Sequence, residues 1–328
     1  MKCFVTGATG FIGNNLVNKL ISKGYEVNVL VRSTKAKKLF KNEKITVFTG
    51  DLHNTEIIDK AMKSCDVVFH MAAYANIWSK DKTLAFRTNV LGTKNILEAA
   101  LKNEIKKVVF TSSAATLPPS KEKEDVDESF PLPAIYLTDY EITKKEAEQL
   151  CIDYYKKGLD VVVVKPPRVF GLGYLNKSNS VTIMIKYYLK GTWRIIPGDG
   201  SQIGSYVFID DIVQGHLLAM QKGTPGENYI LGGNNVSYNE FFNILAKVSG
   251  KKQFMVHFPL PLMMGISKFE FFMAETFGKK PLITPPWVKR YLQNRPLSSQ
   301  KSIKELTYAI TPLPEAIQKT IDWLKTNN

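Results

Sequence analysis

One feature near the start of the chain constrains the fold more than any other: the apolar run Lys2-Cys3-Phe4-Val5-Thr6 breaks into Gly7-Ala8-Thr9-Gly10-Phe11-Ile12-Gly13. The run reads as a strand and the glycines as a tight turn into a helix. Glycine lets the backbone turn sharply and lets a phosphate approach with no Cβ in the way. The N–H groups of the following helix N-terminus then offer partial positive charge to that anion. A dinucleotide pyrophosphate suits such a corner. The spacing is G-x-x-G-x-x-G, not the general G-x-G-x-x-G, so its surroundings must decide. Leu16, Val17, Leu20 and Ile21 share a helical face, Gly24 stands where the helix should end, and Val27, Val29, Leu30 and Val31 make a second strand. This is a complete β-α-β unit.

The rest of the chain is consistent with a globular α/β protein. Its 328 residues, 44% of them apolar, can bury a full core. No N-terminal signal is expected, because the first strand begins at Lys2. The longest apolar stretch, 254–266, contains Pro259 and Pro261 and is too short to span a bilayer, so a soluble chain without a transmembrane segment is expected. Cys3, Cys65 and Cys151 stand far apart in apolar contexts with no C-x-x-C, which suits a reducing cytoplasm. The formal charge of +14 comes with lysines interspersed among other residues, as at 35, 37, 38, 41 and 44. That pattern reads as a solvated surface, and no nucleic-acid partner is expected.

The end of the second strand bears on cofactor choice. An acidic side chain there would hold a ribose 2′-hydroxyl, whereas arginine accommodates a 2′-phosphate. Here the strand ends in Arg32-Ser33-Thr34-Lys35, which favours NADP(H). NAD(H) stays open, since Arg32 stacked on an adenine face would serve either cofactor. Further strands at 45–48 and 66–69 lead into Gly50-Asp51-Leu52 and His70-Met71-Ala72-Ala73. Asp51 reads equally as an acceptor for the adenine amino group and as a turn residue; His70 reads as a packed, hydrogen-bonded side chain. A fifth strand, 108–111, runs into Ser112-Ser113, placing hydroxyls at the carboxyl edge of the sheet, where ligands bind. After a polar loop over 118–133, a helix from Tyr140 to about Lys157 sets Tyr140 and Lys144 on one face. Valines 161–164 form a strand buried on both sides.

The combined pattern resembles the extended short-chain dehydrogenase/reductase superfamily. It is carried by TGATGFIG at 6–13, GDL at 50–52, VFHMAA at 68–73, NVLGT at 89–93, VVFTSSAA at 108–115, YEITK at 140–144, KPPRVFG at 165–171, GDG at 198–200, YVFIDDI at 206–212 and KELTY at 304–308. The resemblance spans nearly the whole chain. It implies a Rossmann-type doubly wound parallel sheet over 1–170, to which 205–232 returns, and a smaller mixed substrate lobe from 171–204 and 233–328. It implies catalysis by Ser113, Tyr140 and Lys144: the tyrosine as general acid/base, the lysine favouring its phenolate and bonding the nicotinamide ribose, and the serine holding the substrate oxygen. Ser113 is preferred to Ser112 because of its place before the alanine. The cofactor cleft would be made by Gly7, Thr9, Gly10, Phe11, Ile12, Gly13, Arg32, Ser33, Lys35, Asp51, Leu52, Ala72, Ala73, Asn89, Thr111, Tyr140, Lys144, Pro167 and Val169. No metal is expected. A homodimer through the helices that hold Asn89 and Tyr140 is.

Within that superfamily the chain looks most like the dihydroflavonol-reductase and 3β-hydroxysteroid-dehydrogenase branches. Relatives acting on nucleotide-linked sugars usually carry asparagine where this chain has Arg168, and an arginine that grips the diphosphate where it has Gly204; Leu172 replaces a usual proline. The C-terminal part is rich in methionine and phenylalanine, including Phe269, Phe271, Phe272, Met273 and Phe277. Such a stripe reads first as core, then as a hydrophobic pocket or a lid touching a membrane beside Lys279, Lys280 and Lys289. A pocket around Val181, Met184, Trp193 and Trp287 is expected. The leading function is NADP(H)-dependent reduction of a ketone, or oxidation of the alcohol, on a small hydrophobic or lipid-like substrate. The rivals are a nucleotide-sugar epimerase or dehydratase and a non-catalytic NADP-sensing module.

Overall fold

The computed structural model describes residues 1–175 and 179–327. The first half alternates strand and helix: β1 (Lys2–Thr6), α1 (Phe11–Ser22), β2 (Glu26–Val31), β3 (Ile45–Thr49), α2 (Thr55–Met62), β4 (Val67–His70), α3 (Leu84–Phe86), α4 (Gly92–Lys102), β5 (Lys107–Thr111), α5 (Asp139–Lys156) and β6 (Val161–Lys165). It continues with β7 (Arg168–Phe170), α6 (Ser180–Leu189), β8 (Ile195–Pro197), β9 (Ile203–Phe208), α7 (Ile209–Lys222), β10 (Asn228–Ile230), β11 (Asn234–Ser237) and α8 (Tyr238–Ser249). The last elements are β12 (Val256–Phe258), α9 (Leu260–Phe277), α10 (Pro285–Tyr291), α11 (Gln300–Leu306) and α12 (Leu313–Thr326).

Seven strands form one parallel sheet in the order β10-β6-β5-β4-β1-β2-β3. Because side chains alternate along a strand, each strand feeds two cores. Cys3, Val5 and Val109 face α1 and α7, while Phe4, Val108 and Phe110 face α2, α4 and α5. All five residues of β6 are buried, as its valine run requires of a strand covered on both sides. The chain leaves β1 toward β2 and later returns to β4 on the other side. This reversal opens a crevice at the carboxyl ends of β1 and β4.

A second, three-stranded sheet, β11-β9-β7, and the parallel pair β12-β8 lie outside the large sheet. β7 and β9 thus belong to the small sheet, while β10 joins the edge of the large one beside β6 and α7 packs against β5 and β6.

The methionine and phenylalanine stripe differs from its first reading as core. Of α9 only Met263, Ser267 and Ala274 are buried, and Phe269, Phe272 and Phe277 are 63%, 60% and 68% exposed. The helix is apolar around most of its circumference but rests on the protein along one narrow line of mostly small residues, so its aromatic rings point away. Leu282, just beyond it, is 87% exposed. No helix among the described residues is long and apolar enough to cross a membrane.

Candidate active site

The glycine corner owes its shape to contacts that only glycine permits. Gly7 has φ +71°, and a Cβ there would lie 2.7 Å from the backbone nitrogen of Ala72. A Cβ on Gly13 would lie 2.8 Å from the carbonyl carbon of Gly7. The N-terminus of α1 has no side-chain cap and no acidic residue in its first turn, so its N–H groups remain available to an anion. Thr6 Oγ1 accepts from the backbone nitrogens of Met71 and Ala72, 3.2 Å each, and so locks the ends of β1 and β4 together. These residues fit a dinucleotide pyrophosphate.

From this corner a cavity of about 1230 Å³ runs across the crevice and under the smaller lobe. Its walls include Gly7, Thr9, Gly10, Phe11, Ile12, Gly13, Arg32, Asp51, Leu52, Ala72, Ala73, Thr111, Ser113, Tyr140, Pro167 and Val169. Four of the expected residues are not in its walls. The Ser33 hydroxyl accepts from the Lys35 backbone nitrogen at 3.2 Å, and both side chains lie outside. Asn89 is buried in a π-helical stretch, Arg87–Leu91. It accepts from the Tyr74 nitrogen at 2.6 Å and donates to Thr143 Oγ1 at 2.9 Å, tying two helices to a loop. Lys144 is 1% exposed and donates to the Thr111 carbonyl at 2.7 Å. Asp51 serves at least its turn role, since Oδ1 accepts from the His53 nitrogen at 2.8 Å. His70 is fully buried between Thr6 Oγ1 at 2.7 Å and Thr93 Oγ1 at 2.9 Å.

α5 begins where the sequence expects, and a capping box fixes it: Thr138 Oγ1 accepts from the Glu141 nitrogen while the Glu141 side chain accepts from the Thr138 nitrogen. This holds Tyr140 at the first turn, facing the cavity. Burial raises the Tyr140 pKa above the ordinary phenol value, opposed by a hydrogen bond with Ser113 and by the Arg290 charge. A cation the motifs do not include, Arg290, thus acts on the phenol, while Lys144 lies one turn further along α5. Burial likewise pulls Lys144 down to about 8, with Cys151 and Glu148 opposing.

Three arginines the catalytic motifs do not include, Arg168, Arg290 and Arg295, also line the cavity. Arg290 and Arg295 share the buried Glu141 carboxylate. Burial, with the Arg290 charge beside it, lowers Arg295 to about 9, while Glu141 pulls the other way. Neither end of this cluster was among the residues expected from the sequence: Thr138 and Glu141 carry a T-x-x-E signal that could have marked one end, and the arginines come from a segment about 150 residues away. Val181, Met184, Trp193, Phe242, Met263 and Trp287 add an apolar and aromatic lining to the same cavity, Trp287 with its ring 5.6 Å from the Arg290 guanidinium.

The sequence model of the NAD dependent epimerase/dehydratase family matches residues 3–232. A putative dihydroflavonol 4-reductase of Synechocystis sp. is 30% identical over 99% of this chain and 94% of its own length. A 4-hydroxy-2-methyl-3-oxo-4-farnesyl-3,4-dihydroquinoline-1-oxide ketoreductase of Stigmatella aurantiaca is 33% identical over 77% of this chain and 74% of its own. In fold the chain resembles the UDP-glucuronic acid 4-epimerase of Bacillus cereus, with a TM-score of 0.79 over the whole of both chains at 24% identity.

Proposed function

The chain belongs to the NAD dependent epimerase/dehydratase family, within the extended short-chain dehydrogenase/reductases, and from that premise we propose an NADP(H)-dependent reductase of an apolar ketone. One observation carries the reading: Ser113 and Tyr140 line the same cavity as the glycine corner and as a set of apolar and aromatic side chains. Arg32 at the end of β2, with no acid beside it, favours the 2′-phosphate of NADP(H). The name of the Stigmatella aurantiaca relative, a ketoreductase of a farnesylated ring, supports an apolar substrate.

When bound, the dinucleotide supplies the hydride. The glycine corner and the N-terminus of α1 hold its pyrophosphate. Ser113 and Tyr140 hold the substrate oxygen, and Tyr140 gives it a proton as negative charge develops there. A phenol whose pKa burial has raised is protonated at neutral pH, which suits it to that step. Lys144, anchored on the carbonyl of Thr111, supports the strand end from which Ser112 and Ser113 project and lies one turn beyond Tyr140 for a ribose contact.

Exposed α9 would rest on an anionic lipid surface, its phenylalanines in the headgroup region and Lys268 and Lys279, which form no ion pair among the described residues, above it. Apolar substrate would then enter past Met263 and Leu282, which line the cavity. Exposed Leu101 on α4 and Ile142, Ile152 and Tyr155 on α5 support a homodimer through those helices.

The deciding experiment is a panel of apolar ketones and sugar nucleotides followed by NADPH absorbance and product mass. Stoichiometric NADPH consumption with a gain of two hydrogens is expected. Conversion of a sugar nucleotide with no net NADPH consumption, and no ketone reduction, would replace the reading with an epimerase or dehydratase.

A further inference from the structure

The side chain of Arg168 crosses from β7 over β9 and fills the space above Gly204: a Cβ on Gly204 would lie 2.6 Å from the Arg168 Cζ. There the guanidinium sits between two rings, 5.2 Å from the Tyr206 centroid and 5.0 Å from that of Tyr238. It donates to Tyr206 Oη at 2.8 Å. Such packing fixes the plane and direction of the fork. Among the described residues no carboxylate pairs with it. Arg290 and Arg295 do not release their own partner: they share Glu141, and Arg295 also donates to the Leu117 carbonyl and to Gln293. Three guanidinium groups on this wall are therefore balanced by a single carboxylate. A half-buried, orientated cation facing a cavity without a counter-charge is costly unless an anion joins it.

We propose that Arg168 is the anion receptor of the substrate cavity and that the substrate carries a carboxylate on an otherwise apolar body. This rests on reading the cavity as a reductase site. Of the three arginines only Arg168 has no carboxylate partner among the described residues; one of its N–H groups is taken by Tyr206, and the others can still meet one carboxylate. The apolar wall of Val181, Met184, Trp193 and Phe242 takes the remainder of the molecule. Arg168 lines the same cavity as Ser113 and Tyr140, so carboxylate and carbonyl would share it.

The test uses protein loaded with NADP⁺ and titrated calorimetrically with octanoate, octanamide, octyl phosphate and UDP. Octanoate is expected to bind at least tenfold more tightly than octanamide. Arg168→Met should erase that difference while NADP⁺ affinity stays within about threefold; if this variant loses NADP⁺ binding, Arg168→Gln replaces it with the same expectation. The exchange Arg168→Gly with Gly204→Arg, which returns a guanidinium to the same space from the neighbouring strand, should restore the preference. Equal binding of octanoate and octanamide, or a preference that survives in both single variants, would overturn the proposal. Octyl phosphate or UDP binding tenfold more tightly than octanoate would overturn the carboxylate and assign the receptor to a phosphorylated substrate. A failed reductase reading is distinguishable: the octanoate preference would persist in a protein that reduces no ketone with NADPH.

Discussion

Ser112 donates its hydroxyl to Glu148 at 2.5 Å, and this bond separates the roles of two adjacent serines at the end of β5. Ser112 is buried, and Glu148 also accepts from Thr116 at 2.8 Å and pairs with Lys165 at 3.2 Å. Burial alone would raise the Glu148 pKa, yet Lys165 and Ser112 hold it below the ordinary carboxylate value. Ser113, one residue on, faces the cavity and Tyr140. Ser113→Ala should therefore lower kcat by roughly 100-fold with little change in melting temperature. Ser112→Ala should do the reverse, costing about 1–3 kcal/mol of stability because it leaves a buried carboxylate short of a donor. Steady-state kinetics and denaturant unfolding of both variants would decide, and interchanged effects would move the substrate contact to Ser112.

Lys144 carries a cost that activity must justify. Burial lowers its pKa from 10.5 in the unfolded chain to about 8 in the fold. Between those values the unfolded state binds more protons, so stability rises as pH climbs from about 8 toward 10.5, and below pH 8 the buried charge costs about 3 kcal/mol. Lys144→Met, which keeps an unbranched apolar stem without the charge, should be more stable than the parent at pH 7 and lose this slope. Its turnover should fall. Unfolding free energies measured from pH 7 to 10 check the first statement, and an unchanged pH slope would place Lys144's charge in a solvated setting.

His70 and His216 work in the opposite pH range. Burial holds them at about 3 and about 4, against 6.5 when unfolded. The unfolded chain therefore binds more protons as pH falls through 6.5, and stability should decline from there toward pH 4. His70→Asn should lose stability at every pH, through its bonds to Thr6 and Thr93, but flatten the acid slope. Chemical denaturation at pH 7, 5.5 and 4.5 separates the two effects; a parallel downward shift with no change of slope would show that His70 is not the titrating group.

Much of this molecule was legible in its sequence because local chemistry and the fold agree there. The glycine triplet fixes a corner by close approach, the valines of β6 announce a strand covered on both faces, and the helix expected from Tyr140 to about Lys157 is α5. What was not legible depends on distant segments meeting. Arg290 and Arg295 reach Glu141 from the far end of the chain, and Arg168 occupies the space of a residue on another strand. The exposure of α9 was hidden for a different reason: an apolar periodicity reports that a face avoids water, and the same pattern serves a protein core, a ligand pocket and a lipid surface.

Arg32 gives a test of cofactor choice that is independent of the chemistry. It lines the cavity at the end of β2, exposed, and no acidic residue stands at that strand end to meet a ribose 2′-hydroxyl. Arg32→Asp should move the ratio of kcat/KM for NADPH over NADH toward NADH by at least tenfold, because a carboxylate repels a 2′-phosphate and accepts from a 2′-hydroxyl. Its melting temperature should not change. An unaltered ratio would mean that Arg32 stacks on the adenine and reads nothing at the 2′ position.

The aromatic face of α9 makes the last prediction. Phe269 and Phe272 are more than half exposed on a helix that carries Lys268 and is followed by Lys279, neither in an ion pair among the described residues. Their burial at a headgroup boundary would return roughly 1.5–3 kcal/mol for each ring that becomes fully covered. The protein should sediment with vesicles of phosphatidylcholine containing phosphatidylglycerol, and more weakly with phosphatidylcholine alone or in high salt. Phe269→Glu with Phe272→Glu should abolish sedimentation and leave NADPH binding intact, since neither residue lines the cavity. If the double variant instead converted a larger assembly into a smaller one on size-exclusion chromatography, with vesicle binding absent in the parent, the face would be covered by a second copy of the chain and the lipid contact would be withdrawn.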